Sequence, residues 1–194
     1  MTFASGLRSI LRQDPDIVMI GEIRDEETAQ IAVKAAITGH LVLSTLHTND
    51  SASSITRLVD MGIEPYLVST SIVGVIAQRL VRRICPNCKE GIEASDYEKK
   101  ILLGDTSKDL TLYRGRGCGH CNNTGYLGRI GVYEIMDITR EHRDAINSSN
   151  DPNVLKDISK KNGMTTLGEE CRQLVINGVT TMRELASVTL LDEI

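Results

Sequence analysis

Two pairs of cysteines have the spacing of metal ligands. Cys85 and Cys88 form one Cys-x-x-Cys pair, Cys118 and Cys121 form a second, and 29 residues separate the pairs. Each pair can present two thiolates on one side of a tight turn, and four thiolates around one ion complete the tetrahedral site that zinc prefers. The spacing therefore predicts a structural zinc site, with free or redox-active thiols as the alternative.

Two further residues near this pattern need an interpretation. His120 lies inside the second cysteine pair and could replace a cysteine as ligand, although four cysteines already complete a site. The fifth cysteine, Cys171, falls on the apolar face of a predicted helix. We interpret it as a small buried hydrophobic residue, because a free cysteine usually behaves as one in a protein core.

A carboxylate and an imidazole follow two predicted strands. Glu22 comes after the apolar run Ile17–Ile20, and Thr45 and His47 lie at the end of the run that begins at Leu41. The carboxyl ends of parallel strands meet at the edge of the sheet where ligands bind. A carboxylate beside an imidazole at that edge is suited to orienting and activating water. Glu22 alone is a weak signal, because a strand that leaves the core at a polar turn has the same pattern, and a lone histidine at a strand end is more often structural. The hypothesis therefore depends on the two together.

The elements that would position these residues alternate between strand and helix. Asp25 is placed to cap a helix over residues 26–37, and either Asn49 or Asp50 to cap the next helix. Pro65 is suited to the first turn of a further helix, which the apolar spacing predicts to extend to about Val81. This alternation predicts an α/β fold in which a parallel sheet is covered by helices on both faces.

The organisation changes after this first part. Residues 84–129 are rich in Cys, Gly and basic side chains, and a strand is predicted at residues 130–136. The remainder is helical, with one helix that starts at Pro152 and another that starts at a Thr181–Glu184 capping box. The expected parts are an α/β portion, a metal-organised subdomain, and a strand with a helical tail, over residues 1–83, 84–129 and 130–194.

Composition excludes several classes of protein. The chain is 41% hydrophobic and 25% charged but only 3% aromatic, which predicts a globular core of aliphatic side chains. The net charge of −4 gives no general electrostatic reason to bind nucleic acid or acidic lipid. No run approaches the about 20 apolar residues of a membrane span, and the first residues do not resemble a secretion signal. We therefore expect a cytoplasmic protein.

A basic cluster leaves a nucleic-acid-binding zinc ribbon as a remote alternative. The only nearby rings that could stack on bases are Tyr113 and Tyr126, and this alternative explains neither Glu22 nor His47. The cationic residues around the cysteine pairs are Arg79, Arg82, Arg83, Lys89, Arg114, Arg116 and Arg129.

Three stretches together carry a family resemblance. They are IVMIGEIRDEETAQIAVKAAITGHLVLSTLHTNDS, AQRLVRRICPNC and CGHCNNTGYLGRIGVYE. In this order they closely resemble the Walker B element, histidine box and tetracysteine motif in the carboxyl-terminal half of the secretion ATPases of the type II/type IV pilus group. The resemblance is dense from Thr2 to about Met136 and looser in the helical tail.

The resemblance implies a partial RecA-like P-loop NTPase domain with a tetracysteine zinc subdomain. It implies that Glu22 polarises the attacking water and that His47 is the histidine-box partner of this site. Arg24, His40 and Thr45 would serve the nucleotide site or couple it to a neighbouring subunit. For Arg24, a surface ion pair with Asp25 or Glu27 is the alternative. The four paired cysteines would hold structural Zn²⁺. Because retraction motors of the group usually lack the tetracysteine motif, the assembly or secretion branch is implied.

The resemblance also implies partners and cofactors for the complete protein. Such ATPases bind ATP and Mg²⁺, form homo-hexameric rings, and act with an inner-membrane platform protein at the inner face of the cell membrane. They use ATP hydrolysis to drive pilin or pseudopilin subunits out of that membrane. No direct contact with nucleic acid is expected.

The chain departs from the complete pattern of the group. It contains no G-x-x-x-x-G-K-[ST] sequence, the loop that cradles phosphates. Gly21 stands where many P-loop ATPases carry an aspartate that holds magnesium, a feature that the group shares. The upstream domain that supplies arginines to the nucleotide is also absent. We therefore expect half an active site, a fragment that is inactive alone, and a length set by a cut in a longer protein. The alternative is a non-enzymatic, zinc-stabilised interaction module of the same machinery.

Overall fold

The computed structural model describes residues 3–192, which divide into two compact units. Within the described residues, the first unit is residues 3–76 with 135–164, and the second is residues 77–134 with 165–192. The division of the chain by function into residues 1–83, 84–129 and 130–194 stays a prediction. Residues 1–2 and 193–194 of its outer parts lie outside the described residues.

The described elements alternate between helix and strand in the first part of the chain, as the sequence predicted. The helices are α1 (Phe3–Leu11), α2 (Glu26–Ile37), α3 (Ser51–Asp60), α4 (Pro65–Ser71), α5 (Asp96–Leu103), α6 (Arg140–Ser148), α7 (Pro152–Lys161), α8 (Leu167–Ile176) and α9 (Met182–Asp192). The strands are β1 (Ile17–Ile20), β2 (Leu41–Ser44), β3 (Gly74–Ile84), β4 (Lys89–Glu93), β5 (Thr111–Gly115) and β6 (Tyr126–Asp137). Among these helices, none has the length and apolar character that a bilayer crossing requires.

Strands β1 and β2 form the parallel pair of the first unit, in register from Ile17 beside Leu41 to Ile20 beside Ser44. The predicted α/β character is thereby confirmed. Two predicted helix caps are also confirmed. At the start of α2 the Asp25 carboxylate accepts the N–H of Thr28 at 2.8 Å. At the start of α3 the capping residue is Asp50 rather than Asn49.

The expectation that helices cover both faces of this sheet is wrong for the described residues. Val18 and Ile20 are buried, whereas Ile17 is 61% exposed and Met19 is 77% exposed. Successive side chains of a strand point to opposite faces, so the two exposed residues belong to a face that no described element of the first unit covers. The buried face shares its core with apolar residues of the helices, among them Ala29, Val33, Ile55 and Val68.

The predicted helix from Pro65 to about Val81 is also wrong beyond its second turn. Helix α4 ends at Ser71, and β3 then begins at Gly74 and forms a two-stranded sheet with β6. Along β3 the buried Ala77 and Val81 alternate with exposed residues, which is the period of a strand. The apolar residues fit both periods, but only pairing with β6, some 50 residues later, satisfies the backbone of an extended chain.

The second unit contains an antiparallel pair, β4 with β5, and the two last helices. Cys171 is completely buried in its core beside Leu167 and Val175, which confirms the interpretation of this cysteine as a core residue. Helix α9 begins next to the predicted capping box, but the side chains of that box have other partners. The hydroxyl of Thr181 lies 2.8 Å from that of Tyr126, and Glu184 binds Arg82.

Candidate functional site

The carboxyl ends of β1 and β2 bring Glu22 and His47 together. The last register pair of the two strands is Ile20 with Ser44, so the residues that follow both strands lie at one edge of the sheet. There, Nε2 of His47 lies 3.0 Å from Oε2 of Glu22. Glu22 is about one-third exposed and His47 is largely exposed, so both are accessible from solvent.

Arg24 completes the charged group at this edge. Its guanidinium lies 2.6 Å from Oε1 of Glu22, so the two carboxylate oxygens have different partners. The hydrogen bond from Arg24 is the main reason that the pKa of Glu22 lies below its usual value, and His47 acts in the same direction. The alternative of an ion pair with Asp25 or Glu27 is not what the structure shows. Asp25 caps α2, and Glu27 pairs with Arg8 at 2.9 Å.

Thr45 joins the two strand ends through its hydroxyl. This hydroxyl donates to the carbonyl oxygen of Gly21 at 2.6 Å, and the N–H of Ile23 donates to the carbonyl oxygen of Thr45 at 3.0 Å. The two partners, Gly21 and Ile23, lie on either side of Glu22 in the chain. Thr45 is therefore close to the carboxylate-bearing segment, as the sequence placed it.

His40 is not part of this group, although the resemblance assigns it to the same motif. It precedes β2, so the four-residue strand, about 13 Å long, separates it from the edge where Glu22 lies. Its Nδ1 is 3.1 Å from the carbonyl oxygen of Ala35 and 3.3 Å from the hydroxyl of Thr38. His40 lines a shallow cavity of about 320 Å³ between α1 and α2, together with Lys34 and Arg8.

The second unit brings the four paired cysteines together. Their sulfur atoms all lie within 4.8 Å of one another, and three of the residues are buried while Cys118 is half-buried. Cys85 Sγ is 3.9 Å from Cys118 Sγ, and Cys121 Sγ is 3.9 Å from Cys88 Sγ and 3.7 Å from Cys118 Sγ. The predicted approach of two pairs across a long intervening segment is thus confirmed.

These separations fit a single tetrahedral ion. Zinc–sulfur bonds of about 2.3 Å at tetrahedral angles place neighbouring sulfurs about 3.8 Å apart, close to the three distances between sulfurs. A disulfide would instead need about 2.05 Å, and all four cysteines are free thiols. The donor set therefore matches a closed metal site, with no open position for a substrate.

Backbone groups around the sulfurs are functional features that sequence reasoning missed. The N–H groups of Cys118 and Gly125 donate to Sγ of Cys121 at 3.2 and 3.3 Å, and that of Gly117 donates to Sγ of Cys88 at 3.3 Å. Burial raises the pKa of Cys88 to about 12. Burial acts in the same direction on Cys121, but the two donated hydrogen bonds outweigh it and lower its pKa to about 6.

The glycines near the cysteine pairs are the sequence signal that could have predicted these backbone donors. Gly117 and Gly125 have φ values of +96° and +77°, in the left-handed region that favours glycine. Gly125 also packs against the backbone of Gly115, where a side chain on either residue would collide with the other. The glycines that surround the cysteine pairs in the sequence thus mark where backbone N–H groups turn toward sulfur.

Several cations of the basic cluster have partners within the second unit. Arg82 lies 4.1 Å from the ring centre of Tyr126 and binds Glu184, and Lys89 lies 4.2 Å from the ring centre of Tyr113. Arg114 pairs with Glu90 at 2.8 Å. The two tyrosines that could have stacked on bases are therefore already in contact with cations.

The fold and the site together define a class of protein. It is an α/β protein with an acid–imidazole pair at the carboxyl edge of a parallel sheet and a separate four-cysteine cluster. The family described as "Type II/IV secretion system protein" matches residues 1–187, and the chain belongs to that family.

Relatives at the level of sequence are named as secretion and pilus proteins. The chain is 52% identical over 189 residues to "Type II secretion system protein E" of Pseudomonas aeruginosa, covering 97% of this chain and 38% of the relative. It is 46% identical over 193 residues to "Type IV pilus assembly ATPase PilB" of Thermus thermophilus, covering 98% and 22%. The chain therefore spans less than half the length of these relatives.

Solved structures share the fold. The pilus retraction motor PilT with bound ADP is 26% identical, with a TM-score of 0.67, and the match covers all of this chain and 46% of that one. The ATPase DotB of Legionella pneumophila has a TM-score of 0.65 at 23% identity, covering 97% and 42%. The second likeness concerns the fold alone.

Proposed function

We propose that this chain forms the carboxyl-terminal part of an ATPase that powers type II secretion or type IV pilus assembly. The observation that carries the proposal is the contact between Glu22 and His47 at the carboxyl edge of the β1–β2 pair. The names of the relatives support the substrate, ATP, and the general process.

Glu22 and His47 would act on the water that attacks ATP. Oε1 of Glu22, which can accept a second hydrogen bond beside that from Arg24, would accept one from this water and orient the water oxygen toward the terminal phosphorus. The new oxygen–phosphorus bond forms as the bond to the bridging oxygen of ADP breaks, and the water's proton passes to the carboxylate or to the phosphate. His47 holds the other oxygen of Glu22, so the carboxylate keeps one direction.

The carboxylate at this edge suits magnesium, which prefers oxygen ligands. Glu22 is the residue that would lie nearest to it. Mg²⁺, when bound with ATP, neutralises phosphate charge. Arg24 supplies a cation at the same edge, and its guanidinium is 71% exposed and therefore accessible to a phosphate.

Cys85, Cys88, Cys118 and Cys121 would hold structural Zn²⁺ in the second unit. The sulfur separations support four thiolate ligands, and a closed site of this kind contributes to folding rather than to catalysis. The presence of the four cysteines also supports the assembly or secretion branch over the retraction branch.

The complete protein would be a homo-hexamer that works with an inner-membrane platform protein at the cytoplasmic face of the membrane. The uncovered apolar face of the β1–β2 pair, which includes Met19, supports further elements that pack on this face in the complete protein. Since residues 1–194 contain no P-loop sequence, we propose that this chain alone does not hydrolyse ATP. If it acts alone, the second function is a zinc-stabilised interaction module, which the preformed cysteine cluster favours.

The test is a chimera in which this chain replaces the matching segment of the Pseudomonas aeruginosa relative. The chimera should hydrolyse ATP, and Glu22→Gln should lower kcat by about a hundredfold or more because the amide cannot accept the proton. Glu90→Gln, which removes an exposed carboxylate of the second unit, is the matched control and should leave kcat within about twofold. An inactive chimera, or full activity in the Glu22→Gln variant, would contradict the proposal.

A further inference from the structure

Thr45 forms two hydrogen bonds to the residues on either side of Glu22, Gly21 and Ile23, beyond the last paired residues of β1 and β2. The register of β1 with β2 ends at Ile20 and Ser44. One residue beyond, the Thr45 hydroxyl donates to the carbonyl oxygen of Gly21, and the Thr45 carbonyl accepts the N–H of Ile23. The segment that carries the carboxylate is thus fixed on both sides of Glu22 by one residue.

Apolar packing restrains the flanks of this segment but not the residues between them. Ile20 and Ile23 are buried in the core of the first unit, whereas Gly21 and Thr45 are exposed. A side-chain carbon added at Gly21 would meet nothing within 4 Å, so no neighbouring side chain confines the backbone there. The hydrogen bonds of Thr45 to Gly21 and Ile23 therefore act together with this packing in setting the direction in which the Glu22 carboxylate leaves the sheet.

Thr45 also fixes the partner of Glu22. His47 lies two residues further along the segment that follows β2, so the position of Thr45 influences where the backbone that carries the imidazole lies. The two hydrogen bonds of Thr45 therefore contribute to the distance between the backbone that carries the carboxylate and the backbone that carries the imidazole. A short strand without this bond would let the two side chains drift apart.

We infer that Thr45 is a positioning residue for Glu22, and that its hydroxyl, rather than its shape, holds the carboxylate in the direction that water activation requires. The inference rests on the proposed function. A displacement of about 1 Å in a catalytic group is enough to lower a rate by about a hundredfold. Only a side chain with a donor on Cβ can reach the Gly21 carbonyl in this way, which threonine and serine provide and valine does not.

The experiment uses the same chimera with three substitutions. Thr45→Val keeps the shape and removes the donor, Thr45→Ser keeps the donor, and Thr70→Val is the matched control. The Thr70 hydroxyl is also exposed and donates to a backbone carbonyl, that of Tyr66, at 2.8 Å, but it lies on α4. For each variant we would measure kcat, KM for ATP, the Kd of a fluorescent ADP analogue and the melting temperature.

Thr45→Val should lower kcat by about tenfold or more, with KM and Kd within about twofold. Thr45→Ser should restore kcat to within about threefold of the unmodified chimera, and Thr70→Val should leave it unchanged. The melting temperature of Thr45→Val should remain close to that of the chimera, because water replaces the donor at an exposed carbonyl. If Thr45→Val does not fold, Thr45→Ala takes its place in the comparison.

Three results would overturn the inference: a kcat for Thr45→Val within about twofold of the chimera, an equal loss in Thr45→Ser, or a loss confined to KM. The last result would place Thr45 in ATP binding. Failure of the proposed function is recognised separately, because it appears as an inactive chimera or as unchanged hydrolysis in the Glu22→Gln variant. In the second case Glu22 is not the activating base, whatever Thr45 does.

Discussion

Nε2 of His47 lies 3.0 Å from a carboxylate oxygen of Glu22, across the carboxyl edge of the two parallel strands of the first unit. The two residues are 25 positions apart in the chain and meet because β1 and β2 run in the same direction and end together. This contact leads to the first prediction.

His47→Gln in the chimera should lower kcat by about tenfold to a hundredfold. Without the imidazole, Arg24 remains the main partner of the carboxylate, and Glu22 turns toward it instead of toward water. Steady-state hydrolysis of ATP measures the effect. His120→Gln, an exposed histidine of the second unit, is the matched control and should keep the full rate. A His47→Gln rate equal to that of the control would show that the imidazole has no part in the reaction.

Cys88→Ser should abolish stoichiometric zinc binding. The chain purified without chelator should contain about one equivalent of zinc, and the variant less than about one-fifth of that, because an alcohol is a poor zinc ligand. The matched control is Cys171→Ala, which removes the one cysteine outside the cluster and should keep the metal. Metal analysis by mass spectrometry measures both. Substoichiometric zinc in the unmodified chain, below about half an equivalent, contradicts the zinc proposal.

Glu184→Gln should destabilise the chain by about 1.5–3 kcal/mol at neutral pH, because Glu184 accepts charge-assisted hydrogen bonds from Arg82. Glu90→Gln breaks the exposed pair with Arg114 and should cost less than about 1 kcal/mol. Urea unfolding followed by circular dichroism measures the free energy of unfolding of each variant. Equal losses in the two variants would show that burial of Glu184 adds nothing.

The contribution of Glu184 should also depend on pH. Burial raises the pKa of Glu184, but the guanidinium and the backbone N–H of Arg82 outweigh it and keep the pKa below its ordinary value of 4.5. The stabilisation is therefore fully present above 4.5, the pKa in the unfolded chain, and is lost as pH falls through the lower pKa in the folded chain. The difference in unfolding free energy between the wild type and Glu184→Gln should shrink below that pH.

Acidification should lower the stability of the part of the first unit that surrounds His142. This side chain is completely buried, and its Nδ1 accepts the N–H of Thr139, so the ring is neutral with its proton on Nε2, facing the Ser159 hydroxyl at 2.8 Å. Burial lowers its pKa from 6.5, so the unfolded chain binds a proton before the folded chain does. Stability is present above 6.5 and falls as pH decreases toward the lower folded pKa.

Hydrogen exchange of the peptides that span α6 and α7 measures this effect. Protection should fall between about pH 7 and pH 5, and His142→Gln should lessen the dependence on pH although it lowers protection at every pH. Exchange of the exposed His120→Gln variant should follow that of the wild type. If His142→Gln keeps the full dependence on pH, another group is responsible.

Much of the local structure could be predicted from the sequence because its causes are local. Asp25 and Asp50 cap helices through bonds to N–H groups three residues away, and Pro152 begins α7 at a position where no donor is needed. The four-cysteine cluster could be predicted because each Cys-x-x-Cys pair places two ligands on one tight turn, which is half of a tetrahedral metal site.

Glu22 and His47 could be predicted for a similar reason. Parallel strands separated by one helix end at the same edge, so two polar residues that follow two apolar runs are brought together by topology alone. The distance of 3.0 Å, and the way in which the carboxylate is shared between His47 and Arg24, required the structure.

The tertiary structure decided what local spacing leaves open. The apolar residues from Ile72 to Leu80 fit a helix or a strand, and only the backbone donors and acceptors of β6 make β3 the better alternative. Similarly, His40 and His47 belong to one sequence motif, but this motif includes the whole of β2. His40 therefore lies at one end of the strand and His47 beyond the other.

The amino-acid sequence by itself determined the ligand set, the caps and the strand ends, since each depends on residues close in the chain. Only the tertiary structure decided which partners Glu184 and Thr45 take, how the Glu22 carboxylate is shared between His47 and Arg24, and which face of β1 is uncovered. The partners of Thr45 lie 22 and 24 positions away and Arg82 lies 102 positions from Glu184, so their selection depends on distances set by packing of each unit.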